Sequence, residues 1–126
     1  YQCLIPYKNS YKIIDKILTE IKKNKIYSFV SVLKSMGKKD GNLSFGNPGF
    51  TLVFDFPMYK NINKILDIID EMVLSSGGRI YLTKDSRIDK KKFKKINKEF
   101  NNENYKKFRK KNKLIFSSLQ SERLGI

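Results

Sequence analysis

Residues 50–57 read FTLVFDFP, and their alternation decides the fold. Phe50, Leu52, Phe54 and Phe56 fall on one side of an extended chain, with Thr51, Val53 and Asp55 on the other, because successive strand side chains point to opposite faces. Pro57 has no N–H to give to a ladder and stops the strand. A strand with one wholly apolar face needs a layer to cover it. The flanking sequence supplies that layer on both sides.

Upstream, residues 26–34, IYSFVSVLK, are β-branched and aromatic and predict a central strand. The stretch between, SMGKKDGNLSFGNPG, holds four Gly and one Pro and predicts a hairpin connection. Further back, Ile13, Ile14, Ile17, Leu18 and Ile21 recur at helical spacing, after a cap at Asn9 or Ser10 and before a stop at Asn24. Residues 2–6, QCLIP, predict a short strand ended by Pro6. Downstream, residues 61–75 predict a second helix with Ile62, Ile65, Leu66, Ile69, Met72 and Val73 on one stripe and Gly77-Gly78 as its stop. Residues 79–83 then predict a fourth strand.

The order β-α-β-β-α-β is that of a ferredoxin-like sandwich of the α+β class. It places both helices on the Phe50/Leu52/Phe54/Phe56 face of one antiparallel sheet. The opposite face, with Thr51, Val53, Asp55 and Tyr81, is expected to stay open and to favour self-association. Residues 1–88 form this domain. From Asp89 the sequence turns into a Lys/Asn run with sparse apolar anchors at Phe93, Ile96, Phe100, Tyr105 and Phe108, which predicts a weakly helical basic tail over 89–126.

The 126 residues suffice for one domain with a modest core. The chain opens at Tyr1 and is expected to be a piece of a longer product. No apolar run approaches the ~20 residues of a membrane span. Cys3 is the only cysteine, so no internal disulfide forms and a reducing, cytoplasmic compartment is expected, with peripheral membrane contact left open. The absence of His removes the commonest metal ligand and general base. No metal site is expected.

The net charge of +15 invites a polyanion partner, but it comes from 23 Lys and 4 Arg in a chain rich in Asn and Ile and without Ala. AT-rich codons produce that mixture, whereas bidentate phosphate and base recognition favours Arg. A small basic RNA-binding module is the alternative reading. It would need a Lys/Arg-Gly-aromatic fingerprint on a central strand, which neither IYSFVSVLK nor FTLVFDF has. The segment GKKDGN at 37–42 lacks the Gly-Lys-Ser/Thr ending and the following helix of a phosphate loop.

Three stretches, SFVSVLKSMGKKDGNLSFGNPGFTLVFDFP (28–57), GGRIYLTKDSR (77–87) and RLGI (123–126), together resemble the C-terminal part of FAD-linked oxidases of the vanillyl-alcohol oxidase type. The nearest branch is that of decaprenylphosphoryl-ribose and aldonolactone oxidases. The resemblance implies a substrate domain laid over the isoalloxazine of an FAD held mainly by another domain of the same enzyme, to which the tail returns. It implies oxidation of a secondary hydroxyl of a sugar or sugar-lipid, and no activity from this chain alone. By position it implies substrate-binding roles for Lys34, Thr51, Val53 and Tyr81. Tyr81 and Lys84 would lie nearest the flavin, with Lys84 catalytic.

Overall fold

A computed structural model of the chain describes residues 1–38, 44–96, 102–113 and 115–126. Strands β1 (Gln2–Pro6), β2 (Ser31–Met36), β3 (Gly49–Phe54) and β4 (Arg79–Ile80) form one antiparallel sheet in the order β2-β3-β1-β4. Helices α1 (Ser10–Lys23) and α2 (Ile62–Ser75) make the two connections, giving the expected ferredoxin-like α+β arrangement. The chain divides into two compact units, Tyr1–Asp85 and Ser86–Ile126.

Register sorts the side chains. Residues directly opposite in an antiparallel ladder share a face. Cys3 lies opposite both Leu52 and Ile80, and Leu4 lies opposite both Thr51 and Arg79. Cys3, Ile5, Leu52, Phe54 and Ile80 therefore form one face, and Gln2, Leu4, Thr51, Val53 and Arg79 the other. Tyr1 alternates onto the Cys3 face, where its hydroxyl donates to Asp70 of α2 at 3.0 Å. That is the helix side, and it buries Ile17 of α1 with Ile65, Ile69 and Val73 of α2.

The second helix ends as its sequence predicts. Gly77 takes a left-handed φ of 77° past the C-cap Ser76. At Gly78 a Cβ would collide with the Leu4 carbonyl and with Val73, so only glycine lets the chain turn so closely onto β1.

Four expectations need correction. The strand expected over 26–34 begins only at Ser31 and lies at the sheet edge, not its centre. Before Ser31 the pairing is irregular: the Asp55 N–H is shared between the Ser28 hydroxyl at 2.8 Å and the Val30 carbonyl at 3.1 Å, and the Phe29 N–H donates to the Asp55 carbonyl at 2.9 Å. The helices approach β1 and β4 most closely, so Leu33 on β2 is 55% exposed on the helix side. Asn9 occupies the N-cap of α1 in a left-handed conformation, and its side chain caps nothing. The fourth strand stops at Ile80, and Leu82–Lys84 form a 3₁₀ turn. The Tyr81 N–H still takes the Gln2 carbonyl at 2.9 Å, but the next residues bond locally, the Lys84 N–H to the Tyr81 carbonyl at 3.0 Å and the Asp85 N–H to the Leu82 carbonyl at 3.2 Å.

In the second unit, α3 (Lys90–Ile96), α4 (Asn102–Lys111) and α5 (Leu119–Leu124) confirm a helical basic tail. Asp89 caps α3 by accepting the Lys92 N–H at 2.7 Å. Ser118 and Ser121 form a reciprocal capping box on α5. Ile88, Phe93 and Leu124 are buried. Of the expected anchors, Tyr105 is half-buried and Phe108 exposed, while Phe100 lies outside the described residues.

Burial pushes the Cys3 thiol up from its ordinary 9.0 to about 12, with nearby Asp70 adding to the rise. A group whose pKa is raised by folding stabilises fully below its unfolded value and loses that contribution as pH rises. Above pH 9.0 the unfolded chain releases the proton and the folded chain keeps it, so stability should fall by about 1.4 kcal/mol per pH unit. Denaturant titrations of wild type and Cys3→Ala across this range should diverge by that slope, the variant lacking it. Cys3 should also resist alkylation until the chain unfolds.

Candidate functional site

The face opposite the helices is not an open sheet. Thr51 is 1% exposed and Val53 7% exposed, which corrects the expectation of an uncovered surface there. Part of the cover comes from the β2–β3 connection. Phe45 lies against Tyr81 with ring centroids 4.7 Å apart, and Arg79 donates to the Ser44 carbonyl at 3.1 Å. Gln2 lies over Thr51: its amide donates to the Thr51 hydroxyl at 3.2 Å, and that hydroxyl donates to the Cys3 carbonyl at 2.8 Å.

Between the returning connection and the strand ends is a cleft of about 690 Å³ lined by Gln2, Lys34, Met36, Lys38, Ser44, Phe45, Gly46, Tyr81 and Lys84. Each residue arrives for a local reason. Lys34 is opposite Thr51 in the β2–β3 ladder and so shares its face. Tyr81 follows the last ladder residue of β4. Lys84 is brought round by the 3₁₀ turn, in which its N–H donates to the Tyr81 carbonyl at 3.0 Å. The structure thus brings together Lys34, Tyr81 and Lys84, three of the residues singled out in the sequence. Thr51 and Val53 lie on the same face but do not line the cleft; Thr51 sets the position of Gln2 beneath it.

Among the described residues that line the cleft there are three lysines and no carboxylate. That lining is positively charged and favours an anionic guest. The paired rings of Phe45 and Tyr81 add an apolar wall with a phenolic hydroxyl. The arrangement suits a ligand that is anionic and partly flat.

Sequence reasoning missed Gln2, Lys38 and Phe45. Gln2 could have been found, because a lone amide in QCLIP alternates onto the face away from Cys3 and Ile5. Phe45 carried a weaker sign, a single aromatic in a connection otherwise made of turn residues. The GKKDGN segment falls partly outside the described residues, which include its Gly37 and Lys38 but not its residues 39–42.

No protein-family model matches the chain. A known oxidase does. Over 88 residues, 69% of its length, the chain is 34% identical to decaprenylphosphoryl-beta-D-ribose oxidase of Mycolicibacterium smegmatis. The chain spans 19% of that protein's length. It is therefore related, over most of its own length, to a part of an oxidase.

The buried Thr51 hydroxyl joins two strands to the cleft, and removing it tests the site's foundation. Thr51→Val keeps the shape but leaves the Gln2 amide without its acceptor. Urea unfolding should show a loss of about 1–2 kcal/mol.

Proposed function

We propose that this chain is the substrate-domain and C-terminal part of an FAD-dependent oxidoreductase that oxidises a secondary hydroxyl of a sugar, a sugar lactone or a polyprenylphosphoryl sugar. The observation that carries the reading is the convergence of Lys34, Tyr81 and Lys84 on one cationic, aromatic-walled cleft. The relationship to an oxidase whose name specifies a polyprenylphosphoryl sugar supports the same reading.

The donor set fits a flavin. Lys84 and Tyr81 would face the ring, Tyr81 offering a flat apolar wall and Lys84 a fixed positive charge. When bound, FAD supplies the two-electron acceptor for the carbinol C–H. Lys84, on a turn whose backbone is hydrogen-bonded to Tyr81, would stabilise negative charge on the ring. Lys34 and Lys38, on and beyond β2, are placed for an anionic group of the substrate such as a phosphoryl ester. Gln2, steadied by Thr51, is a hydrogen-bond donor and acceptor for sugar hydroxyls. The residues that grip the adenine and pyrophosphate would belong to a separate FAD-binding domain of the same enzyme, to which residues 89–126 return. The domain division 1–88 and 89–126 belongs to this proposal.

The RNA-binding alternative finds less support. On the cleft face the central strands β1 and β3 carry Gln2, Leu4, Thr51 and Val53, none of which offers a ring for base stacking.

Two outcomes test the proposal. The purified 126-residue chain should be colourless and take up no FAD. Joined to its FAD-binding domain, Lys84→Met should keep the fold and bound FAD but slow anaerobic flavin reduction by the sugar substrate by ~10²–10³. Reduction at the wild-type rate would return Lys84 to the solvated lysines of the surface.

A further inference from the structure

We infer that Arg79 is a positioning residue for the cleft: its buried guanidinium holds Phe45 against Tyr81, so that the aromatic wall stands before any ligand arrives. Arg79 is 4% exposed, and an arginine is buried that deeply only for the bonds it makes there. One guanidinium nitrogen donates to the Ser44 carbonyl at 3.1 Å. Beyond Phe45, the Gly46 N–H donates back to the Ser44 hydroxyl at 3.2 Å. Phe45 is therefore flanked by a residue anchored to Arg79 and by one bonded to that anchor. Residues 44–48 lie between the end of β2 and the start of β3, so strand pairing does not hold them, and the Arg79 bond ties them to β4. The outcome is the 4.7 Å contact between the Phe45 and Tyr81 rings.

The base of this clamp is rigid. Gly78 packs so closely on the Leu4 carbonyl and on Val73 that a Cβ would meet both, and Arg79 itself pairs with Leu4. Arg79 and Tyr81 alternate onto one face, so the same short stretch carries both the clamp and the ring that Phe45 meets. A guanidinium suits the task because burial does not take its charge, and a charged donor bonds a carbonyl more strongly than a neutral one. Phe45 and Tyr81 line the cleft and Arg79 does not. What Arg79 gives a ligand thus passes through Phe45: a wall already in place does not have to be ordered when the ligand enters.

The first test uses the full chain, which has no Trp of its own. Phe45→Trp sets an indole against Tyr81, and acrylamide quenching reads how well that indole is covered. Arg79→Met keeps the buried stem and removes the donors, and Arg79→Gln is the second choice. Whichever retains the far-ultraviolet circular dichroism should raise quenching toward that of an exposed indole, and Arg79→Lys should restore part of the protection. Ile17→Val, which removes a buried methylene on the helix side, should lower the urea midpoint and leave quenching unchanged. Unchanged quenching without the guanidinium, or an equal rise with Ile17→Val, would overturn the positioning role. The second test rests on the flavin reading and uses the chain joined to its FAD-binding domain, with a polyprenylphosphoryl sugar as probe. Arg79→Met and Phe45→Ala should each raise KM by up to about tenfold, the worth of one aromatic contact. Together they should do no more than Phe45→Ala alone, whereas additive losses would show Arg79 acting on the ligand directly and would overturn the role. If that sugar does not reduce the wild-type flavin, the flavin reading fails, and the quenching comparison still decides the role of Arg79.

Discussion

The hydrogen-bond ladders that hold β1 between β3 and β4 decide what each side of this sheet can do. Every residue from Gln2 to Pro6 has a partner on β3, and Cys3 and Leu4 have a second on β4. Because the side-chain period is two, this register sends Cys3 and Ile5 to the helices and Gln2 and Leu4 to the cleft. A slip of one residue would put the Gln2 amide into the apolar core and expose Ile5. The apolar face of the helices excludes that slip, so the core holds the cleft in place without contributing a residue to it.

The cleft then depends on where β4 runs out. Tyr81 gives its N–H to the Gln2 carbonyl, and the chain turns into 3₁₀ geometry. Had the strand continued to Thr83, Lys84 would have travelled on along the sheet edge. The turn keeps Lys84 beside Tyr81. The other wall comes from Phe45, whose ring lies against Tyr81.

These facts explain which parts were legible. The two helices were, because Ile17 or Ile65, Ile69 and Val73 repeat at helical spacing and burial follows that spacing. The face assignment of β3 was legible too, since Thr51 and Leu52 alternate wherever the sheet lies. Coverage was not. Periodicity says which way Val53 points but nothing of what lies above it, and that depends on a connection whose path no local pattern encodes. The position of β2 was misjudged for a related reason: Val30, Val32 and Leu33 suit a pleated surface, and β propensity does not separate an edge from a centre. For the site, the lysine and tyrosine of YLTKDSR were visible, while Gln2 and Phe45 needed the tertiary path.

The basic charge shows how far composition can be pressed. Lysine is abundant throughout, so its number says little about partners. Its placement says more. In the first unit Lys34 and Lys38, on and just beyond β2, meet Lys84 from the 3₁₀ turn at one cleft, and no described lining residue brings a carboxylate. In the second unit the lysines lie along short, highly charged helices around projecting apolar side chains. The same residue type, supplied in excess, is thus sorted by the fold into two environments.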